Sequence, residues 1–335
     1  MISHVNVPID SHSWVTSQEQ LALISTLSRL HRSCTSLRYS INSYYHLVDK
    51  WVRPSQIHLL HALGNKITLD YYHGDPSSPV DSFQSNFKRL CSLSPFIHKV
   101  RTSNTATLRI LQEHSPFSNI SLIPIGINTD FFTHVTASSR SHIRDILQLP
   151  QDAFIVGSFQ KDSDGWPPSS KTSPKLVKGP DIFADTISLL KHLIPNLFVL
   201  LVGPNRSYLS LRLEENCVPH RVFSFRHPSC VYSAYHALDL YLISSREEGG
   251  PKALMESMAS GIPVVSTPVG QSNDLIQHGT NGFLSSNFSP HSLSQLVYEA
   301  YNLRFDHRIP DNAQQSVLDY DYRQFDPLWD DFFSN

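Results

Sequence analysis

Two carboxylates, Glu248 and Glu256, stand eight residues apart in the stretch SSREEGGPKALMESMASGIPVVST, which runs from Ser244 to Thr267. Gly249, Gly250 and Pro251 follow the first carboxylate directly. Proline suits the first position of a helix, and glycine lets backbone approach a ligand closely. The helix start then offers unpaired N–H groups, those of Lys252, Ala253 and Leu254, and a partial positive charge suited to phosphate. Glu256 falls about 7 Å further along that helix by its rise per residue. An ionised carboxylate only accepts hydrogen bonds, so it binds hydroxyl groups rather than phosphate. A ligand with a diol at each end and phosphates between them is a nucleotide sugar. On this reading Glu256 holds the ribose, Glu248 holds the sugar, and the amides between them hold the diphosphate. A glycosidase could use the same two carboxylates as acid and base. The glycines and the phosphate-suited helix argue against it, and hydrolysis of simple aryl glycosides separates the two.

The elements around this stretch must deliver it to the edge of a sheet. From about residue 150, apolar strand-like runs (FIVGSF, NLFVLLVGP, LDLYLIS, IPVVST) alternate with helical ones (GPDIFADTISLLKHLI, PKALMESMAS, SLSQLVYEAYN). That alternation predicts a parallel sheet covered on both faces, with ligands outside the carboxyl ends of its strands. The first 150 residues repeat the pattern less cleanly: ISHVNV, KITLDYYHGDP, HKVRTSN and ISLIPIG read as strands between helices. The expected domains are 1–150, 151–310, and a C-terminal segment 311–335.

Composition narrows the classes. The chain has 335 residues, 40% hydrophobic and 17% charged, with a net charge of -2. It should bury real cores, and it has no global basic field to recruit nucleic acid. Cys34, Cys91, Cys217 and Cys230 are scattered with no CxxC, which suits a reducing compartment. The start lacks a signal-peptide pattern, and no apolar run reaches membrane-spanning length. His58 and His61 form an HxxH pair without a third ligand in view, so they read as ordinary histidines. The DYD at 319–321 is likewise a weak metal pattern. Ser103 and Asn104 read as a helix cap. No G-x-G-x-x-G follows a strand, which disfavours a dinucleotide oxidoreductase.

Four segments in order, ISLIPIGINTDFF, KLVKGPDIF, LVGPNRSY and EEGGPKALMESMASGIPVVSTPVGQSNDLIQHGTNGFL, resemble family 4 retaining glycosyltransferases, with their E-x7-E motif. The resemblance is dense over about residues 119–284. It implies α/β architecture of the GT-B type: two Rossmann-like domains facing a central cleft, with the C-terminal segment crossing back to the first domain. It implies transfer of a sugar from a nucleoside-diphosphate sugar to an acceptor hydroxyl with retention, and no metal cofactor. The catalytic candidates are Glu248, Lys178, Lys161 and His73; the donor-binding candidates are Glu256, Gly249, Gly250, Lys252, Ala253, Leu254 and Arg206. Arg206 reads equally well as a surface residue, and Asp75 and Asn128 are weaker candidates. Lys178 precedes Gly179 and Pro180, so its ammonium could join a helix dipole in gripping phosphate. The acceptor would be a glycan, a lipid-linked molecule or a small molecule, in cell-envelope or polysaccharide biosynthesis. The expected location is cytoplasmic, or the inner face of a membrane by peripheral association where the acceptor is a lipid.

Two departures from the family stand out. VPIDSHSWVTSQ contains no glycine where a Gly-rich loop is usual, and the usual Gly-Arg early in the second domain reads GSFQKD. The second departure leaves Lys161 as the nearest cation after that strand, with Lys171 and Lys175 as alternatives. The first suggests a non-enzyme alternative: a degenerate sugar-nucleotide-binding or partner-stabilising protein.

Overall fold

The structure is a computed structural model that describes residues 4–9, 14–72, 74, 76–78, 81–163, 173–225 and 227–334. It divides into two compact units, Met1–Gly126 with Tyr320–Asn335, and Ile127–Asp319.

The first unit runs β1 (His4–Asn6), α1 (Trp14–Arg29), β2 (Ser33–Thr35), β3 (Tyr44–Val48), α2 (Pro54–Ala62), β4 (Lys66–Tyr71), α3 (Asp81–Ser92), β5 (Ile97–Thr102), α4 (Thr105–His114) and β6 (Ile120–Leu122). Its sheet has the order β2-β1-β3-β4-β5-β6 and is parallel throughout. Central strands need apolar side chains on both faces, and β3 is buried at all five positions. One face packs Leu47, Leu69 and Val100 with Ile57, Leu60, Phe87 and Leu111 from α2, α3 and α4.

The second unit contains α5 (Ala137–Ile146), β7 (Phe154–Ser158), α6 (Pro180–Leu190), β8 (Leu197–Val202), α7 (Ser207–Glu215), β9 (His220–Phe223), α8 (Pro228–Ala234), β10 (Leu240–Ile243), α9 (Lys252–Ala259), β11 (Val264–Ser266), α10 (Ser272–Leu275), β12 (Phe283–Leu284), α11 (Pro290–Asn302) and α12 (Arg308–Val317). Its parallel sheet is ordered β12-β11-β10-β7-β8-β9. Val156, Val199, Leu201 and Leu242 pack against Phe183 and Ile187 of α6 and Leu293 and Val297 of α11. The chain closes with α13 (Asp326–Phe332), whose Trp329 and Phe332 join Val5, Val7, Leu23 and Leu27 in the first unit.

The unit boundaries fall at 126/127 and 319/320 rather than at 150/151 and 310/311. The reason is side-chain anchoring. Arg144 on α5 is buried and donates to the carbonyls of Ala237 and Gln151 and to Asp239 Oδ2, at 3.0, 2.8 and 2.7 Å. These bonds commit the segment after residue 126 to the second unit. At the other boundary, α12 buries Ile309, Ala313 and Val317, and Gln314 donates to the Ala259 carbonyl at the end of α9. Arg29 Nε donates to Asp326 Oδ2 at 2.7 Å, tying α13 to α1.

Several minor readings resolve here. Asn104 caps α4 by accepting from the Thr107 amide at 2.8 Å. His58 and His61 both meet the Phe96 ring edge-on, and no cluster of metal-ligating side chains occurs among the described residues. Asp321 of the DYD caps a short 3-10 turn and pairs with Arg323 at 2.6 Å. None of the helices described is long and apolar enough to cross a membrane.

Asp49, after β3, is buried, and that burial pushes its carboxyl up to about 7 although Asn86 donates to it at 3.2 Å. In the unfolded chain it titrates near 3.9. Folding therefore favours the protonated form, so this group's contribution is complete below about pH 4 and is lost as pH rises through 7. Asp49→Asn should raise the melting temperature at pH 8, with the gain vanishing near pH 4. A melting difference that is the same at both pH values would contradict this.

Candidate functional site

The second unit brings the ends of β7, β8 and β10 to one edge of its sheet. Three loops leave there: one after Ser158, one after Val202 and one after Ile243. A tight contact sets their spacing. Gly179, at φ +59°, caps α6, and a Cβ built on it would lie 1.8 Å from the Ser244 carbonyl oxygen. Ser244 Oγ in turn donates to the Gly179 carbonyl at 2.8 Å. Arg246 then forks onto Asp181 in the first turn of α6, at 2.8 and 2.6 Å, and also donates to the Leu176 carbonyl. The segment carrying Lys178 and the segment carrying Glu248 are thus fastened side by side.

Lys178 Nζ lies 2.6 Å from both carboxylate oxygens of Glu248. The carboxylate side chain is only 9% exposed and the lysine 28%, so solvent screens the pair far less than it would an exterior one. Ser245 Oγ is 2.9 Å from Glu248 Oε1 and from Gln160 Oε1. Gly249, Gly250 and Pro251 are buried. Proline takes the cap position of α9 with extended backbone, and the helix itself starts at Lys252. This is one residue later than the sequence suggests. Lys252 and Ala253 are half-buried and Leu254 is buried, so the helix start keeps its first turn partly accessible. Gly270 lies beneath this loop at φ +45°, and a Cβ there would come within 2.4 and 2.5 Å of the Glu248 and Gly249 carbonyl oxygens.

Glu256, on α9, accepts from the Tyr235 hydroxyl at 2.8 Å through Oε2. Burial raises its carboxyl above the ordinary range, and that phenol bond opposes the rise. Tyr235 is buried against Phe159 and Tyr241, with ring centroids at 4.7 and 5.7 Å. The Tyr241 oxygen accepts from the Phe159 amide at 2.9 Å. An aromatic wedge therefore connects the end of β7 to the second carboxylate.

Lys161 is exposed, while Arg206 is 3% exposed and so is not a surface residue. Both line a pocket with Lys178, Ser158, Gln160 and Asp162. Lys175 is described, and its amide donates to the Asp162 carbonyl at 2.8 Å. Asn128 caps a short turn by accepting from the Asp130 amide at 3.0 Å. His73, Asp75 and Lys171 lie outside the described residues.

The sequence reading missed Tyr235, Ser245, Gln160, Asp162 and the Arg246–Asp181 fork. Ser245 and Arg246 adjoin the motif and were within reach of closer attention to it. Tyr235 has no local signal, because it meets Glu256 only through the packing of α8 and β10.

Two parallel six-stranded sheets with flanking helices define a GT-B fold. The same architecture appears in the crystal structure of Anabaena Alr3699/HepE in complex with UDP and glucose, with a TM-score of 0.76, 16% identity and full coverage of both chains. Residues 173–316 match the family Glycosyl transferases group 1. Among curated relatives, it is 31% identical over 260 residues to a D-inositol 3-phosphate glycosyltransferase of Corynebacterium glutamicum (strain R). That match covers 73% of this chain and 58% of the relative. It is 29% identical over 110 residues to the lipopolysaccharide core biosynthesis mannosyltransferase LpsB of Rhizobium meliloti (strain 1021), covering 31% of each. The chain thus spans less than two thirds of the length of these relatives.

Gly270→Ala should lower stability by more than the roughly 1–3 kcal/mol of a strained backbone alone, because the methyl also strikes two carbonyls of the Glu248 loop. Urea unfolding measures it; a midpoint within error of the parent would show that the loop yields freely.

Proposed function

We propose that the chain transfers a sugar from a nucleoside-diphosphate sugar to an acceptor hydroxyl, with retention at the anomeric carbon and without a metal ion. The observation that carries this reading is the pairing of Lys178 with Glu248 beside a helix start, with Glu256 further along the same helix. The lysine and the carboxylate neutralise one another. A donor diphosphate offers the ammonium a second anion, and its sugar offers Glu248 a set of hydroxyls. Both groups then trade one charged partner for a ligand contact. Glu256, steadied on one oxygen by Tyr235, keeps the other for the ribose diol. As the diphosphate leaves it gains charge, and Lys178 and the first amides of α9 meet that charge. These groups supply the stabilisation a divalent ion would otherwise give. His73 would belong to the transfer centre on the acceptor side. The acceptor, a glycan, a lipid-linked molecule or a small molecule, is assigned to the first unit.

The relatives' names and the UDP held by the structural neighbour support a nucleotide-sugar donor. A thermal-shift screen with UDP-, GDP-, dTDP- and ADP-sugars tests the reading, since a ligand at a hundredfold over its Kd adds about 2.7 kcal/mol of stability. Absence of any shift across the series would remove the donor assignment.

Glu256→Ala should weaken nucleotide binding by about 1.5–3 kcal/mol, the cost of a hydrogen bond to a charged group. Glu248→Ala should instead depress kcat and relax sugar selectivity, and it should leave Lys178 without its partner. Unchanged affinity for the free nucleotide in Glu256→Ala would move the ribose elsewhere.

Turnover should survive EDTA. Complete loss on chelation, restored by magnesium or manganese, would require a metal in the reaction.

A further inference from the structure

The pocket beside Lys178 contains a guanidinium that the E-x7-E motif does not predict. Arg206 leaves the turn after β8, where Gly203 and Asn205 take positive φ of 111° and 58°. Its side chain runs under the end of β7, and Nη2 donates to the Ser158 carbonyl and hydroxyl, both at 2.9 Å. Nη1 is buried with no hydrogen-bond partner, and Nε, equally buried, reaches only an ion pair with Asp162 Oδ2 at 3.5 Å. Buried guanidinium N–H groups are seldom left unmade, and five donors in a fixed fork match the oxygens of a phosphate or a carboxylate. The same pocket, partly open to solvent, is lined by Ser158, Gln160, Lys161, Asp162, Lys178 and Arg206.

The charges around it are balanced in an informative way. Lys178 has Glu248 as its counter-ion, and Arg206 has Asp162. Burial raises the Asp162 carboxyl to about 6, although the Arg206 charge opposes that rise. Burial also lowers Arg206, with Asp162 opposing. Each ion of this pair is therefore poorly solvated, and at 3.5 Å the Arg206 Nε makes no hydrogen bond to Asp162. Such a pair costs more in lost hydration than a close one returns. An anion that reached Nη1 and Nε would satisfy donors the protein leaves open. Lys161, by contrast, is exposed and a point charge; it pays little to stay in water.

We propose that Arg206, seated on Ser158 and counterbalanced by Asp162, is the second diphosphate-binding cation of the donor site, in place of Lys161. The proposal rests on the donor reading above. It also accounts for β7 ending in Gly157-Ser158 without an arginine of its own: the guanidinium arrives from the neighbouring β8 turn and bonds to Ser158.

Calorimetric titration with UDP, uridine and inorganic pyrophosphate tests it. The parent protein should bind UDP more tightly than uridine. Arg206→Gln should lose tenfold or more of the affinity for UDP and for pyrophosphate, while uridine binding stays within twofold. Asp162→Asn should tighten UDP binding several-fold, a gain that a purely structural role for the pair would not produce. Lys161→Ala should leave UDP binding within twofold. UDP affinity unchanged in Arg206→Gln, or lost in Lys161→Ala instead, overturns the proposal. If Arg206→Gln no longer melts cooperatively, Asp162→Asn decides: tighter UDP binding supports the assignment, and equal or weaker binding overturns it. A parent protein that binds no nucleoside diphosphate of the UDP, GDP, dTDP and ADP series would instead sink the donor reading itself, a result distinguishable from failure at Arg206 alone.

Discussion

The candidate site depends on one contact, the ammonium of Lys178 held 2.6 Å from both oxygens of Glu248. The two residues are seventy positions apart in the chain, and neither has a local reason to meet the other. They meet because Gly179 lets α6 start against the Ser244 carbonyl, where any side chain would collide. Arg246 adds a second fastening through Asp181. Once these backbones are set, the pair follows. Removing either charge would strand the other in a poorly screened position, which is more costly than the pair is stabilising. The arrangement is thus a weak contributor to stability and a strong constraint on geometry.

The parallel sheet explains why so many polar groups collect in one place. With all strands of the second unit pointing the same way, every strand end with a following loop lies on the same edge. β7 contributes Ser158 and Gln160, the β8 turn contributes Arg206, and β10 contributes Ser244 to Glu248. Helices α6 and α9 then begin at that edge with their amide ends toward it. Apolar side chains on both faces of the strands, such as the adjacent Ile155 and Val156, leave the loops as the place where unpaired polar groups can stay hydrated or meet a ligand.

Much of this architecture was legible. Strands such as NLFVLLVGP and LDLYLIS are continuous apolar runs bounded by turn residues, and the helices between them carry one apolar face. The E-x7-E stretch marked the candidate site because glycine, proline and two carboxylates at fixed spacing have few other uses. What was not legible has physical causes. β2 is three residues long and none of them is fully buried, so it has no burial signal. β3, YYHLV, opens with tyrosines and a histidine whose burial depends on partners far along the chain, among them Trp329, Phe332 and Phe333 around His46. Helices α5 and α12 are amphipathic and short, and the first lay inside the expected first domain, 1–150. Its allegiance is decided by Arg144, a buried charge whose partners sit some ninety residues later.

The same reasoning separates the cations that spacing alone could not rank. By position, Lys161 follows β7 and Arg206 follows β8, so the lysine is nearer in sequence to the missing arginine. By burial the order reverses. A lysine left in water is satisfied by water, and bringing it onto a phosphate replaces good hydration with a contact of similar strength. A guanidinium already stripped of water, with two donors bonded to Ser158 and others left unmade, has little hydration to lose. Its desolvation has been met by the folded unit before any ligand arrives. The free energy of meeting an anion there is then available for binding rather than consumed in ordering a side chain. Sequence proximity identifies which cations can reach an edge; the cost already incurred in burying them decides which one is built to stay there.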